Sequence, residues 1–481
     1  MSVKRNFVYN IILTSGNIIF PVITFPFLSR VLGPEGVGEV QFINTFAQYF
    51  VMIAALGIPI YGIREVAKAR SDDAILKKTI TELLVIHVIT SVFFSIIYFL
   101  LICNVDYFSI NSKFYIIFSL ILLTGFGNLE WLFSGLERFR FIAVRSLLVK
   151  VISFALILLF IRTKNDLGLY VWILAGGFLL NNSWNIFHAW KYVNFSLLRQ
   201  NDFKKHFNPL LYIFSSIAAI SGYVMLDTII LGFIKGYEAV GYYTAASRLT
   251  KPVVPVLTAL GGVLIPKISE AFHNKDLKTV KSLSDFSFDF VVLMGVPMCL
   301  GFILLANELI ILLCGEEFLF SSLSLKIFAV VVFIIGISNI WAIQILTPAG
   351  KDKLVTYSVI GGLVVSCVLN FVLIPIYSYN GAAVTNFLTE LFVTTCFLFF
   401  VKRNFGFGFD FKLVLKAVAS CLLFFPIYKS VTYFCDNLWG ICILTALCCG
   451  GAYFLIQLFL FHNVILVKQF EKLRSGLKNG T

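Results

Sequence analysis

The chain has 481 residues, of which 59% are hydrophobic and only 13% are charged, and its mean hydropathy is +0.92. Soluble domains carry about 25% charged residues, so this composition excludes a water-soluble fold and indicates a polytopic membrane protein. The net charge of +13 does not point to nucleic acid, because positive cytoplasmic loops are the commoner cause of basic charge in a membrane protein.

A bilayer-crossing helix needs about 20 residues, and this length divides the chain into about 14 predicted spans. The apolar run behind the N-terminal MSVKRN is too long for a signal peptide, so we expect it to be the first span. Lysine and arginine concentrate in the two termini and in the loops that follow even-numbered spans. This asymmetry predicts a multi-pass protein with both termini in the cytoplasm.

Two stretches show the same pattern around a glycine-rich turn. Residues 32–38 close span 1 and open span 2, and residues 231–241 do the same for spans 7 and 8. When Gly38 is aligned with Gly241, Leu32-Gly33 corresponds to Leu231-Gly232, and the second turn is slightly longer. Six spans separate the copies, so both have the same orientation, as in transporters with parallel repeats.

The predicted fold is therefore all-α, with two six-helix lobes around a central cavity and two additional helices at the C-terminal end. The N-terminal lobe is expected at residues 1–208 and the C-terminal lobe at 209–403. Residues 404–481 are expected to hold the last two spans and a cytoplasmic tail.

Polar residues form stripes at helical spacing inside several spans. Span 1 carries Asn10, Thr14, Asn17, Pro21 and Thr24 on one face, span 2 carries Gln41, Thr45 and Gln48, and span 8 carries Thr244, Arg248, Lys251, Pro255 and Thr258. Such a stripe faces other helices or water, because lipid offers no hydrogen bonds. The prolines are expected to interrupt spans 1 and 8.

Arg248 and Lys251 lie on one face of span 8, where two like charges hold helices together poorly. We interpret them as lining a water-filled cavity that receives an anion, with Lys326 of span 10 as a further candidate. Snorkelling of Arg248 to the interface is the alternative.

Three acidic residues, Asp227, Glu130 and Glu390, are also predicted inside spans, as coupling or gating residues. The expected partner of Glu130 is Arg138 or Arg145. Asp227 is a candidate counter-charge for Arg248, a proton or cation site, or an interfacial acid.

Motifs for catalysis are missing from the sequence. It has no phosphate-binding P-loop, no HExxH and no nucleophile elbow, and no hydrophilic stretch is long enough for a catalytic domain. We therefore expect a protein that is not an enzyme and has no cofactor, with H⁺ or Na⁺ coupling as an open alternative.

Several longer blocks resemble one family. SRVLGPEGVGEVQFINTFAQYF, YGIREVAKAR, NLEWLFSGLERFRFIAVRS, LDTIILGFIKGYEAVGYYTAASRL and LNFVLIPIYSYNGAA are similar to the Wzx oligosaccharide flippases, polysaccharide transporters of the multidrug/oligosaccharidyl-lipid/polysaccharide (MOP) exporter superfamily. The resemblance covers nearly the whole chain.

This resemblance implies a bacterial inner-membrane transporter that moves undecaprenyl-pyrophosphate-linked oligosaccharides to the periplasmic leaflet by alternating access. O-antigen or a related glycan would be the product, and a polysaccharide polymerase and a chain-length regulator would be partners. It assigns the cationic cavity to Arg248 and Lys251, with Arg30 near the outer end of span 1. Independently of the resemblance, the side-chain amides of Asn17, Gln41 and Gln48 are candidates for hydrogen bonds to sugar, together with Asn44 and Tyr243.

Three other functions stay open. A Na⁺- or H⁺-coupled drug or metabolite exporter of the same superfamily is the first, and a lipid II flippase is the second. An integral-membrane glycosyltransferase or polymerase is the third, although the predicted outer loops are short for such an enzyme.

Overall fold

The computed structural model describes residues 3–196, 202–408, 410–463 and 465–467. These residues form helices and no strand, which confirms the all-α class. Most of the predicted cytoplasmic tail lies outside the described residues. The α-helices, in chain order, are α1 Val3–Ala55, α2 Ile58–Ala69, α3 Asp73–Asn104, α4 Ser112–Leu123, α5 Glu130–Gly135, α6 Phe139–Phe160, α7 Leu167–Ala189, α8 Lys204–Thr250, α9 Val254–His273, α10 Leu277–Leu304, α11 Ala306–Cys314, α12 Ser322–Asn339, α13 Asp352–Phe405, α14 Phe411–Ser420, α15 Phe424–Phe434 and α16 Leu438–Phe459.

Nine helical stretches of the described chain are long and apolar enough to cross a membrane, or ten if the bent pair Ser112–Leu123 and Gly125–Gly135 is one span. Three of them are 62, 50 and 54 residues long, more than twice the length of about 20 residues that one crossing needs. Within these stretches, helices α1, α8 and α13 each contain one residue with non-helical backbone angles, which is Gly33, Gly236 and Ser378 respectively. The first stretch also turns at Leu56 and Gly57, between α1 and α2. The fold is that of a multi-pass membrane protein, and the number of fourteen spans stays a prediction.

The first two breaks lie in the glycine-rich turns that define the repeat. Gly33 has φ 70° and Gly236 has φ 81°, the left-handed region that favours glycine. The pairing of Gly33 with Gly232 was wrong. Gly232 packs on Phe42, whose ring atom lies 2.1 Å from the position of an added Cβ. Gly33 and Gly236 each precede the aligned glycine by five residues, so the two turns have equal length.

Gly38 and Gly241 both belong to a compact N-terminal unit, Met1–Gly241, and they form a reciprocal backbone contact within it. A Cβ at Gly38 would lie 1.7 Å from the carbonyl oxygen of Tyr237, and a Cβ at Gly241 would lie 2.0 Å from that of Pro34. Pro34 and Tyr237 are equivalent in the corrected alignment, as are the two glycines. The turns therefore pack on each other with local pseudo-two-fold symmetry, and neither position has room for a side chain.

The prolines of α1 do not break it. Pro21 and Pro26 lie in the helix, and the only non-helical residue of α1 is Gly33, so the expected interruption of span 1 was wrong there. Proline removes one hydrogen bond but can keep helical dihedral angles. In span 8 the expectation is confirmed, because a 3₁₀ turn, Lys251–Val253, separates α8 from α9.

The amphipathic helix α2 holds α5 in place. Its buried residues Ile58 and Val66 belong to a core that includes Trp131 and Leu132. Gly62 lets the indole of Trp131 approach, since an added Cβ would lie 2.4 Å from that ring. This packing fixes the start of α5, where Glu130 lies.

The chain divides into two compact units, Met1–Gly241 and Tyr242–Thr481. These units describe compactness, whereas the predicted lobes at 1–208 and 209–403 describe the repeat, and residues 404–481 are predicted to lie outside it. That division stays a prediction. All ten cysteines are free thiols, with no disulfide between them.

The reciprocal glycine contact predicts that Gly38→Ala and Gly241→Ala each destabilise the protein. The added methyl overlaps a backbone carbonyl that cannot rotate away, at a cost of about 1–3 kcal/mol. Thermal unfolding of the purified protein in detergent measures the effect. Gly176→Ala, in α7, is the matched control, because no atom lies within 4 Å of its added Cβ. Equal melting temperatures for Gly38→Ala and Gly176→Ala would show that the two turns do not touch.

Candidate functional site

A buried guanidinium lies on α6 in the N-terminal unit. Arg145 has a side chain that is only 1% exposed, and its Nη2 donates to Oε1 of Glu130 at 2.6 Å. The carboxylate of Glu130 is 43% exposed, so the pair joins a buried cation to an accessible anion. Of the two arginines expected as partners of Glu130, Arg145 is the one bonded to it. Removing Glu130 would leave the buried charge of Arg145 uncompensated in a low-dielectric region.

Lys150 lies further along α6, and its Nζ donates to Oδ1 of Asn17 on α1. The two helices pack closely beside this bond, because an added Cβ at Gly16 would lie 2.5 Å from the side chain of Leu147. The predicted sugar-binding residue Asn17 therefore sits beside a lysine inside the same unit. Lys150 received no role in the sequence analysis.

The polar stripe of α1 lies at an accessible surface. Asn10, Thr14 and Asn17 are exposed, and Thr24 is half-buried with its hydroxyl bonded to Phe20 O. Apolar residues of the same helix such as Ile19 and Ile23 are exposed as well. Polar and apolar faces of one exposed helix are typical of a segment with water on one side and lipid on the other.

The remaining predicted binding residues of the N-terminal unit take different positions. Gln41 is half-buried and donates from Nε2 to Oγ1 of Thr45 at 3.0 Å, which is a bond within its own helix. Gln48 is half-buried, and Arg30 is exposed. Asp227 is fully buried in α8.

The predicted cations of the second unit are accessible to different degrees. Arg248 is half-buried near the end of α8, and Lys251 is exposed in the 3₁₀ turn that follows. Lys326 is half-buried in α12, close in sequence to Ser324, whose hydroxyl donates to Asn380 at 2.8 Å. Glu390 is buried in α13. Asn17 and Glu130 thus have defined charged partners, whereas the roles of the other predicted residues stay predictions.

Sequence reasoning missed a buried network at the start of α8. Glu82 of α3 accepts from Lys205 Nζ at 2.8 Å and bonds to His206 Nε2 at 2.9 Å. The other ring nitrogen of His206 bonds to the hydroxyl of Tyr61 at 2.9 Å. The network links the first turn of α8 to α2 and α3. The sequence signal for this network is Glu82 alone, an acidic residue in an apolar helix. Its partners Lys205 and His206 are more than a hundred residues away in sequence.

A π-helix, Ile340–Leu346, follows α12 in the second unit. Its Gln344 is buried and accepts a hydrogen bond from Ser287 of α10 at 2.7 Å. π-Helical turns occur frequently at functional sites. The sequence carries no clear signal for one. No group of His, Cys, Asp and Glu in the part of the chain that the structure describes could hold a metal ion.

The profile of the family described as "Polysaccharide biosynthesis protein" matches residues 3–272, which is more than half of the chain. The chain belongs to this family. It is also similar to a protein of Escherichia coli (strain K12) named "Putative O-antigen transporter", with 27% identity over 84% of this chain and 98% of the relative.

Solved structures show the same fold. The lipid II flippase MurJ in an inward closed conformation matches 95% of this chain and 100% of its own at a TM-score of 0.76 and 16% identity. An outward-facing multidrug resistance MATE family transporter of the MOP superfamily matches 83% of this chain and 94% of its own at a TM-score of 0.51 and 13% identity. The superfamily fold expected from the resemblance is confirmed.

The Glu130–Arg145 pair predicts that Glu130→Gln destabilises the protein. The substitution leaves the charge of buried Arg145 without its counter-ion, at a cost of about 1–2 kcal/mol after allowance for the exposure of Glu130. Glu137→Gln is the matched control, because Glu137 and its partner Arg70 are both about half exposed and such pairs contribute about 0–1 kcal/mol. Melting temperatures in detergent compare the two variants. If both variants lost the same stability, the burial of Arg145 would have no energetic consequence.

Proposed function

We propose that the protein flips undecaprenyl-pyrophosphate-linked oligosaccharides from the cytoplasmic to the periplasmic leaflet of a bacterial inner membrane, for O-antigen or related surface polysaccharide assembly. The observation that carries this proposal is the near full-length similarity to an O-antigen transporter within a polysaccharide biosynthesis family. Alternating access between two lobes is the mechanism, and both termini lie in the cytoplasm. A polysaccharide polymerase and a chain-length regulator are the proposed partners.

The charges inside the helices support an anionic substrate. A pyrophosphate needs compensating cations, and the guanidinium group of arginine can bond two phosphate oxygens at once. Arg248 and Lys251 supply positive charge in the second unit, where Arg248 is half-buried and Lys251 is exposed. In the first unit Lys150 adds a cation beside the amide of Asn17, a pairing of charge and hydrogen-bonding groups suited to a phosphorylated sugar.

The polyprenyl tail does not need a polar site, because it can remain in lipid or in an apolar groove. The C-terminal helices α14 to α16 carry many exposed apolar residues, among them Leu415, Leu422, Phe425 and Leu447. We assign the wall of such a groove to these helices. A lipid II flippase is the second candidate function, favoured by the fold similarity to MurJ. A lipid II flippase would bind its substrate through the same cations and would leave the polyprenyl tail in lipid or in the same groove.

The first test uses a strain that lacks this protein, complemented by the wild type, by Arg248→Gln or by Arg403→Gln. Surface polysaccharide and cytoplasmic-face lipid-linked oligosaccharide are quantified together at equal expression. We expect the wild type to restore export and Arg248→Gln to lower it about tenfold, as for loss of one bond to a charged group. Arg403 is exposed at the end of α13 and serves as the control for loss of one charge.

Normal surface polysaccharide in the strain without the protein would contradict the flippase proposal. Full restoration by Arg248→Gln would leave that proposal standing and remove Arg248 from the site. If peptidoglycan precursors accumulated instead of oligosaccharide intermediates, the lipid II function would replace the present one.

H⁺ or Na⁺ coupling through the buried carboxylates Asp227 and Glu390 is the second part of the proposal. A carboxylate in a low-dielectric region changes its protonation or binds a cation at a large electrostatic gain, which suits an ion-coupled step. Glu130 is the third predicted coupling residue, and its carboxylate is bonded to Arg145.

Proteoliposomes with an imposed pH or Na⁺ gradient measure the coupling. We expect Asp227→Asn or Glu390→Gln to abolish the acceleration of flipping by the gradient and to leave the gradient-free rate within about threefold of wild type. Glu238→Gln, an exposed acid of α8, is the matched control. Equal acceleration in all variants would exclude both carboxylates from coupling.

A further inference from the structure

A cavity of about 670 Å³ opens where α6 begins and α7 ends, away from the face of α6 that holds Lys150 against α1. Arg138, Arg140 and Arg145 line it on one side, and Trp184 and His188 line it on the other. The cavity lies wholly within the N-terminal unit. Its volume is in the range of about 300–1,000 Å³ that is usual for small-ligand sites.

Arg145 lines this cavity, and part of the hydrogen-bonding capacity of its buried guanidinium group is unused. Nη2 of Arg145 is bonded to Glu130, but Nε and Nη1 are buried and have no hydrogen-bond partner among the described residues. Its guanidinium also lies 5.6 Å from the ring centroid of Phe141, which holds the plane in position. Buried donors are almost always paired in folded proteins, so two unpaired nitrogens of one guanidinium group indicate an acceptor that is not part of the chain.

The rest of the lining is positive as well. Arg138 and Arg140 are exposed at the first residues of α6, and the guanidinium of Arg138 lies 5.5 Å from the ring centroid of Tyr192. Glu137 also lines the cavity, but it is bonded to Arg70. The N-terminus of α6 adds the partial positive charge of its free backbone N–H groups. The lining of the cavity therefore contains three guanidinium groups and one carboxylate, and that carboxylate already has a partner.

The aromatic residues indicate the level in the membrane at which the cavity lies. Trp184 lines it, and Trp190, just past the end of α7, is 63% exposed. Tryptophan is enriched at the level of the lipid headgroups, where its ring is partly in hydrocarbon and partly in water. The start of α6 and the end of α7 are on the side predicted to be cytoplasmic.

We propose that this cavity binds the phosphate headgroup of an anionic lipid from the cytoplasmic leaflet. Arginine forks match phosphate oxygens, and basic pockets between transmembrane helices on the cytoplasmic side bind such headgroups. The same chemistry accepts the phosphates of a bulk phospholipid or the diphosphate of a polyprenyl-linked lipid. The site requires only that the chain lies in a membrane, and it does not depend on the proposed flippase activity.

The test uses the full-length protein in detergent, titrated separately with cardiolipin, undecaprenyl diphosphate and zwitterionic phosphatidylcholine. Native mass spectrometry counts the lipids that stay bound. We expect cardiolipin, undecaprenyl diphosphate or both to be retained, and Arg138→Gln with Arg140→Gln to weaken retention about tenfold to thirtyfold, as for two basic residues near a membrane surface. Both residues are exposed, so this variant is expected to fold.

The matched control is Lys402→Gln with Arg403→Gln, which removes two adjacent exposed charges of α13 that do not line the cavity. Arg145→Lys keeps a cation near Glu130 but loses the fork, and it is expected to weaken retention at a melting temperature near that of wild type. Selective loss of cardiolipin identifies a phospholipid site, and selective loss of undecaprenyl diphosphate identifies a site for the polyprenyl lipid.

Equal retention by wild type and by the Arg138/Arg140 variant would overturn the proposal, as would phosphatidylcholine retained as strongly as the anionic lipids. The readout is independent of export. A protein that proves dispensable for surface polysaccharide but loses cardiolipin through the arginine substitutions would contradict the proposed function and keep this site.

Discussion

Hydrocarbon offers no hydrogen-bond partner, and this constraint accounts for the arrangement of the polar residues inside the helices. Arg145 is enclosed by protein and bonded to Glu130, and Lys150 reaches across to Asn17 on a neighbouring helix. Glu82 bonds to both Lys205 and His206 and is itself wholly buried. In each case the polar group fixes which helix its own helix must pack against. The arrangement of α1, α3, α5 and α6 in the first unit therefore follows as much from charge as from apolar packing.

Close packing of the helices is the second constraint on the structure, and glycine makes that packing possible. Between helices in lipid there is little hydrophobic driving force, so association depends on van der Waals contact and on backbones that approach closely. The pair Gly38 and Gly241 brings two equivalent turns into backbone contact, and Gly62 admits the ring of Trp131 against α2. The first contact joins the two copies of the repeat motif, and the second positions the helix that carries Glu130. Close packing at a small residue thus positions a helix that carries a charged residue.

The sequence predicted features that depend on composition and local spacing, and it missed those that depend on distant partners. Hydropathy identified an all-α membrane protein, and the aligned glycines identified the repeat. The break at Gly236 was misplaced at Gly232, because a glycine that admits a neighbouring ring and a glycine that adopts positive φ look identical in sequence. Glu130 could be given two candidate partners because both follow it closely. Lys150 and Asn17 are 133 residues apart, so nothing local connects them.

The two copies share their shape but not their charges. In the aligned stripes the first copy has Gln41, Thr45 and Gln48 where the second has Thr244, Arg248 and Lys251. The first unit instead carries its cations on α6, where one of them is paired with a carboxylate. Pseudo-symmetry therefore predicts backbone contacts such as that of Gly38 with Gly241, but it does not predict electrostatics.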